Sequence, residues 1–134
     1  MVRRAIEWNR IGDTIGDDLF LPSVWKAPIS DWNCEDVQFT AITDIGALKA
    51  EGAEMAHCAA TYHHHCARGL SAIYRVKGAL SSGKQVRATV EFVRPTPQRP
   101  WDIAQLKGKE NCKVDDRVWK MAALFASDLN RVGH

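Results

Sequence analysis

The chain has 134 residues, 46% of them hydrophobic and 25% charged, and its eighteen basic and sixteen acidic side chains leave a formal charge of +2. A chain of this length is expected to bury about two-thirds of its extended surface in a single domain, so it needs no disulfide or metal staple. The near balance of charge excludes a general electrostatic footprint on nucleic acid, and no apolar run approaches the roughly 20 residues of a membrane span. The N-terminus, MVRRAIEWNR, has neither an apolar core nor a cleavage site and does not read as an export signal. A cytoplasmic location follows as the expectation, and with it reduced thiols at Cys34, Cys58, Cys66 and Cys112.

Residues 1–36 are expected to form an irregular arm. Asp13, Gly16, Asp17, Pro22 and Pro28 interrupt it too often for a long helix, while Trp8, Leu19, Phe20, Leu21, Trp25 and Trp32 supply large apolar anchors that pack on the core. The run VQFTAIT at 37–43 alternates apolar and polar side chains and is rich in β-branched residues, which predicts the first strand. Asp44 is placed to cap a short helix through the amides that follow it, and that helix is expected to stop at Gly52. A central helix is then predicted from about Ala53 or Glu54 up to Gly69. Met55, Cys58, Ala59, Tyr62 and Cys66 recur along it at intervals of three and four, one stripe of a helix, with His57, His63, His64 and Arg68 mostly off that stripe. Met55, Cys58, Ala59 and Tyr62 are expected to bury against Ile73, Val90 and Phe92.

Strands are predicted over 70–76 and 85–93, joined as a hairpin through Ser81, Ser82 and Gly83. Pro95, Pro97 and Pro100 enforce an extended connector before a third strand of the meander over 101–106. After a polar loop, Asp115 or Asp116 caps a last helix with an apolar stripe of Val118, Trp119, Ala122, Phe125, Ala126 and Leu129. Helices flank the strands rather than alternating with them, so the fold class is α+β. The expected architecture is a central helix packed on a three- to four-stranded antiparallel meander, with a C-terminal helix and a Trp-rich N-terminal arm. One domain spans 1–134, with the arm over 1–36, a motif-bearing core over 37–113 and the last helix over 114–134.

Cys58 beside His57 invites a thiolate nucleophile with a histidine base, but adjacent helical residues point about 100° apart, so His57 does not easily take the Cys58 proton. The run Tyr62-His63-His64-His65-Cys66 holds zinc-type donors, yet only His63 and Cys66 stand at a compatible i,i+3 spacing and no CxxC or HExxH pattern is present. No metal and no cofactor is assigned. Glu91 sits mid-strand, where a carboxylate is costly unless it is exposed or paired. Gln105 on the next strand and Asn111 in the loop after it are the side chains that could meet it, together with His57 and Tyr62. Lys107 and Lys109 could grip a phosphate or an acidic partner.

The ordered string Glu51-Gly52, Met55, His57-Cys58, Tyr62, Cys66 and Gly69, then an Ile73-centred strand, TVEF at 89–92, and finally Gln105, Gly108 and Asn111, resembles the PcfJ-like family. The resemblance covers about 48–111, and Ala59 stands where the pattern carries valine. It implies a bacterial accessory protein encoded near DNA-transfer genes on conjugative plasmids and other mobile elements. The expected function is the binding of a protein partner or of nucleic acid. The alternatives are an enzyme, a hydrolase or group transferase using His57, Cys58, Tyr62, Glu91, Gln105 and Asn111, and a small inhibitor of a host defence system.

Overall fold

Alternation of side chains with a period of two along the strand sequences dictates a sheet with two chemically different faces. The computed structural model describes residues 24–55 and 69–132. Five strands, β1 (Asp31–Cys34), β2 (Val37–Ala41), β3 (Ser71–Ala79), β4 (Gln85–Val93) and β5 (Asp102–Gly108), lie side by side in chain order, every neighbouring pair antiparallel. Helix α1 (Ile45–Met55) follows β2, a 3₁₀ turn (Lys109–Asn111) follows β5, and helix α2 (Asp116–Val132) ends the described chain. The fold is α+β, as the sequence implies. Among the described residues no helix is long and apolar enough to cross a membrane.

The register decides which side chains share a face. Tyr74 stands opposite Val90 and Ala72 opposite Phe92, while on the other face Ile73 stands opposite Glu91 and Arg75 opposite Thr89. The first face, with Val37, Phe39, Val76 and Ala88, packs on α2 through Val118, Met121, Ala122, Phe125 and Leu129. Phe125 is the hub of that core. Its ring meets those of Phe39, Tyr74 and Phe92 edge-on at 5.3, 4.7 and 5.4 Å and stacks on Trp32 at 4.8 Å. Two polar groups at the edge of this core have partners: the Tyr74 hydroxyl donates to the Ile29 carbonyl at 2.6 Å, and the Trp32 indole N–H donates to Asp128 at 2.6 Å. The Tyr74 phenol is pushed well above its ordinary pKa by burial. Arg94 lies 4.3 Å over the Trp101 ring and donates to the Gly69 carbonyl at 2.9 Å, tying the start of β3 to the exit of β4.

Several boundaries follow the local chemistry read from the sequence. Asp44 caps α1, its side chain accepting from the Ala47 amide at 2.7 Å, and Asp115 does the same for α2 through the Arg117 amide at 2.8 Å. That bond, first, holds the Asp115 carboxyl below the usual range, with Lys84 adding to it. Gly69 has a left-handed φ of +77°, a conformation that favours glycine.

Other expectations are corrected. The sheet has five strands because residues 31–34, expected within the irregular arm, form β1 against β2. A four-residue strand containing Asp and Asn gives little β signal, and Trp32, stacked on Phe125, is what fixes it. The helix after Asp44 does not stop at Gly52; it continues to Met55, and Gly52 is buried in its middle. Val90 and Phe92 lie on the α2 side rather than under the preceding helix, since they alternate with Glu91. Trp119 is 38% exposed, and Met121 takes its place in the buried stripe. Trp8, Leu19, Phe20 and Leu21 of the arm, and residues 56–68, lie outside the described residues.

Gly78 is where the backbone leaves no choice. Its φ is +150°, it pairs with Val37, and an added Cβ would overlap the Asp36 carbonyl oxygen and come within 2.7 Å of Val37 Cα. Gly83, at φ +90°, faces open space. Gly83→Ala should therefore cost only the backbone strain, roughly 1–2 kcal/mol, while Gly78→Ala should exceed about 3 kcal/mol by adding a clash between β2 and β3. Urea denaturation of both variants checks the ranking; equal losses would contradict it.

Candidate functional site

The face of the sheet turned away from α2 carries the chemistry. Its β4 residues are Arg87, Thr89 and Glu91, flanked by Ser71, Ile73, Arg75 and Lys77 of β3 and by Gln105 and Lys107 of β5. Helix α1 lies on this side and buries Leu48, Glu51, Gly52 and Met55, a stripe at intervals of three, four and seven. Leu48 joins Trp25, Ile42 and Ile73 in a small apolar cluster, with the Trp25 indole N–H donating to the Ile42 carbonyl at 3.0 Å. Beside that cluster the contact between helix and sheet is ionic.

Glu51 is 1% exposed. Arg87 reaches it with both terminal nitrogens, Nη2 to Oε1 at 2.6 Å and Nη1 to Oε2 at 2.9 Å, and the Thr89 hydroxyl donates to Oε2. Arg75 Nε stands 3.4 Å from Oε1, an ion-pair contact without hydrogen-bond geometry. The third nitrogen of Arg87 donates to Glu54 at 2.8 Å. One guanidinium thus grips two carboxylates one turn apart, the planar fork geometry that lysine cannot supply. Burial works against the Arg87 charge, but the hydrogen bonds it donates to Glu51 and Glu54 outweigh that and raise its pKa. The same Arg87 bond lowers the Glu54 pKa.

Glu91 lies on the same face, one alternation further along β4, and is 5% exposed. Gln105 Nε2 donates to its Oε1 and Ser71 Oγ to its Oε2, each at 3.0 Å. Burial raises the Glu91 pKa, and the two hydrogen bonds only partly offset that. A β-bulge falls between Glu91 and Phe92. Gln105 stands directly opposite Glu91 and Ile103 opposite Phe92, which leaves Ala104 as the extra residue of β5.

Of the residues singled out in the sequence, the structure brings together Glu91 and Gln105. Lys107 is on the same face of β5, opposite Thr89, and Lys109 is exposed on the 3₁₀ turn. His57, Cys58 and Tyr62 lie outside the described residues, as does the Asn111 side chain. Cys34 and Cys112 are free thiols, the first with its pKa raised by burial and then by Glu35. Among the described residues no cluster of His, Cys, Asp and Glu could hold a metal ion. Sequence reading missed Ser71, Arg87 and above all Glu51. Ending the helix at Gly52 hid the signal: Leu48, Glu51, Gly52 and Met55 form a continuous helical stripe, which puts a carboxylate on the buried face opposite strands that each carry one arginine, Arg75 and Arg87.

No family model matches the chain, and neither a curated protein nor a solved structure matches it. What the fold and this face define is an α+β domain whose five-stranded antiparallel sheet has an aromatic core on one side and a buried ion-pair layer on the other.

Removing one partner from a buried pair leaves an uncompensated charge, which typically costs about 3–5 kcal/mol, whereas replacing both by apolar side chains is often neutral. Arg87→Met should therefore destabilise the chain by roughly that amount. The double variant Arg87→Met with Glu51→Met should recover much of the loss. Chemical denaturation of the two single variants and the double closes the cycle, and a strictly additive double variant would show that the pair is not coupled.

Proposed function

We propose that this chain is a PcfJ-like accessory protein of a bacterial mobile element that works in the cytoplasm by binding a partner protein. The observation that supports binding over turnover is that both buried carboxylates are fully occupied. Each oxygen of Glu51 and of Glu91 accepts from a donor of the same chain, so among the described residues this face holds its own layers together and offers no free acid. Outward-facing charges are of both signs, Lys77, Lys109, Lys113, Arg117 and Lys120 with Glu54, Asp102, Glu110 and Asp116. That mixture suits a protein surface better than a phosphate backbone, which calls for a cationic stripe.

A second reading, an enzyme, has one specific observation in its favour. Burial raises the Glu91 pKa toward the range useful to a general acid, and Gln105 meets it as a mid-strand carboxylate requires. His57, Cys58 and Tyr62 would complete that constellation. Affinity purification of the tagged full chain, wild type and Glu91→Gln, from cells carrying the element separates the readings. Binding predicts one stoichiometric protein partner, retained by Glu91→Gln and resistant to nuclease. Elution of the chain alone, or with nucleic acid that nuclease removes, contradicts it.

A further inference from the structure

We propose that Glu91 is accommodated as the neutral acid and that its ionisation loosens the junction of β3, β4 and β5, which makes this side of the domain proton-sensitive. Both of its partners among the described residues are neutral. The Ser71 hydroxyl can turn from donor to acceptor, so a protonated Oε2 donates to Ser71 Oγ while Gln105 Nε2 goes on donating to Oε1. The neutral form therefore keeps both hydrogen bonds and places no charge in a 95%-buried position, whereas the carboxylate has there, among the described residues, two neutral donors and no cation.

Among the described residues, the arginines on this face are committed elsewhere. On β4, Arg87 is taken by Glu51 and Glu54; on β3, Arg75 pairs with Glu51; on α1, Glu51 faces those arginines and Thr89. Lys77 of β3 is exposed, and Lys107 of β5 stands opposite Thr89, one alternation away. Among the described residues no ion pair reaches Glu91. Burial moves its pKa in the matching direction.

Because the folded state raises this pKa above the roughly 4.3 of a free glutamate, the stability Glu91 contributes is complete below that value. It is lost as pH rises through the folded pKa. Glu91→Gln keeps the shape and both hydrogen bonds but never ionises. Thermal midpoints of the full chain and of Glu91→Gln, measured from pH 4 to 9, should agree near pH 4. The variant should then become the more stable by several degrees as pH rises, up to a plateau. A difference that does not change with pH, or a variant that loses ground at high pH, overturns the proposal. Should the variant fail to fold, side-chain carbon NMR of wild-type Glu91 decides: a titration midpoint above that of free glutamate supports the proposal, and one at or below it overturns it.

Discussion

The bidentate contact between Glu51 and Arg87 is the constraint on which the α1 side of the domain depends. A helix carrying a carboxylate in the middle of its buried stripe has to meet a cation on the surface it covers, and β4 supplies one in Arg87 with Thr89 beside it. The pair fixes the position of the helix along the sheet as well as its distance from it. Moving Glu51 off Arg87 and Thr89 would leave its carboxylate buried without that fork, a cost of several kcal/mol that Leu48 and its small apolar cluster could not offset. On the opposite face the constraint is of another kind. Phe125 reaches four aromatic rings, and close packing there sets the position of α2 without any buried ion pair among the described residues.

The two faces are joined by the alternation of β4, and this is why the strand is the most informative in the chain. Val86, Ala88, Val90 and Phe92 belong to the aromatic core, while Arg87, Thr89 and Glu91 belong to the polar face. A slip of one residue would exchange the two sets, placing an arginine and a glutamate against Phe125. The sheet's register and its surface chemistry are therefore specified by the same seven side chains. Gly78 adds a local lock, since only a residue without a Cβ fits between β3 and the Asp36 carbonyl.

Much of this was legible in the sequence wherever one local rule acts alone. The bounds of β4, the caps at Asp44 and Asp115, and the left-handed Gly69 follow from periodicity, side-chain hydrogen bonding and glycine's conformational freedom. Glu91 with Gln105 was also within reach, because a mid-strand carboxylate demands a partner. The misses arise where tertiary contact overrides a local signal. Gly52 reads as a helix stop, but the helix passes through it because Leu48 and Met55 on either side are both buried. Trp32 reads as an anchor in an irregular arm, yet its stacking on Phe125 orders a strand too short to announce itself. Trp119 reads as core by hydrophobicity, although its angular position on α2 places it at the rim and Met121 on the stripe.

The claim that one ion pair fastens α1 to the sheet, independently of the aromatic core, is tested most directly by native-state hydrogen exchange on Arg87→Met. The expected result is a selective loss of protection at the α1 amides, with those of α2 and of the β2–β3 ladder opposite Phe125 close to wild type. Protection that falls uniformly through both helices and the sheet, or α1 amides that exchange as slowly as in the wild type, would contradict it.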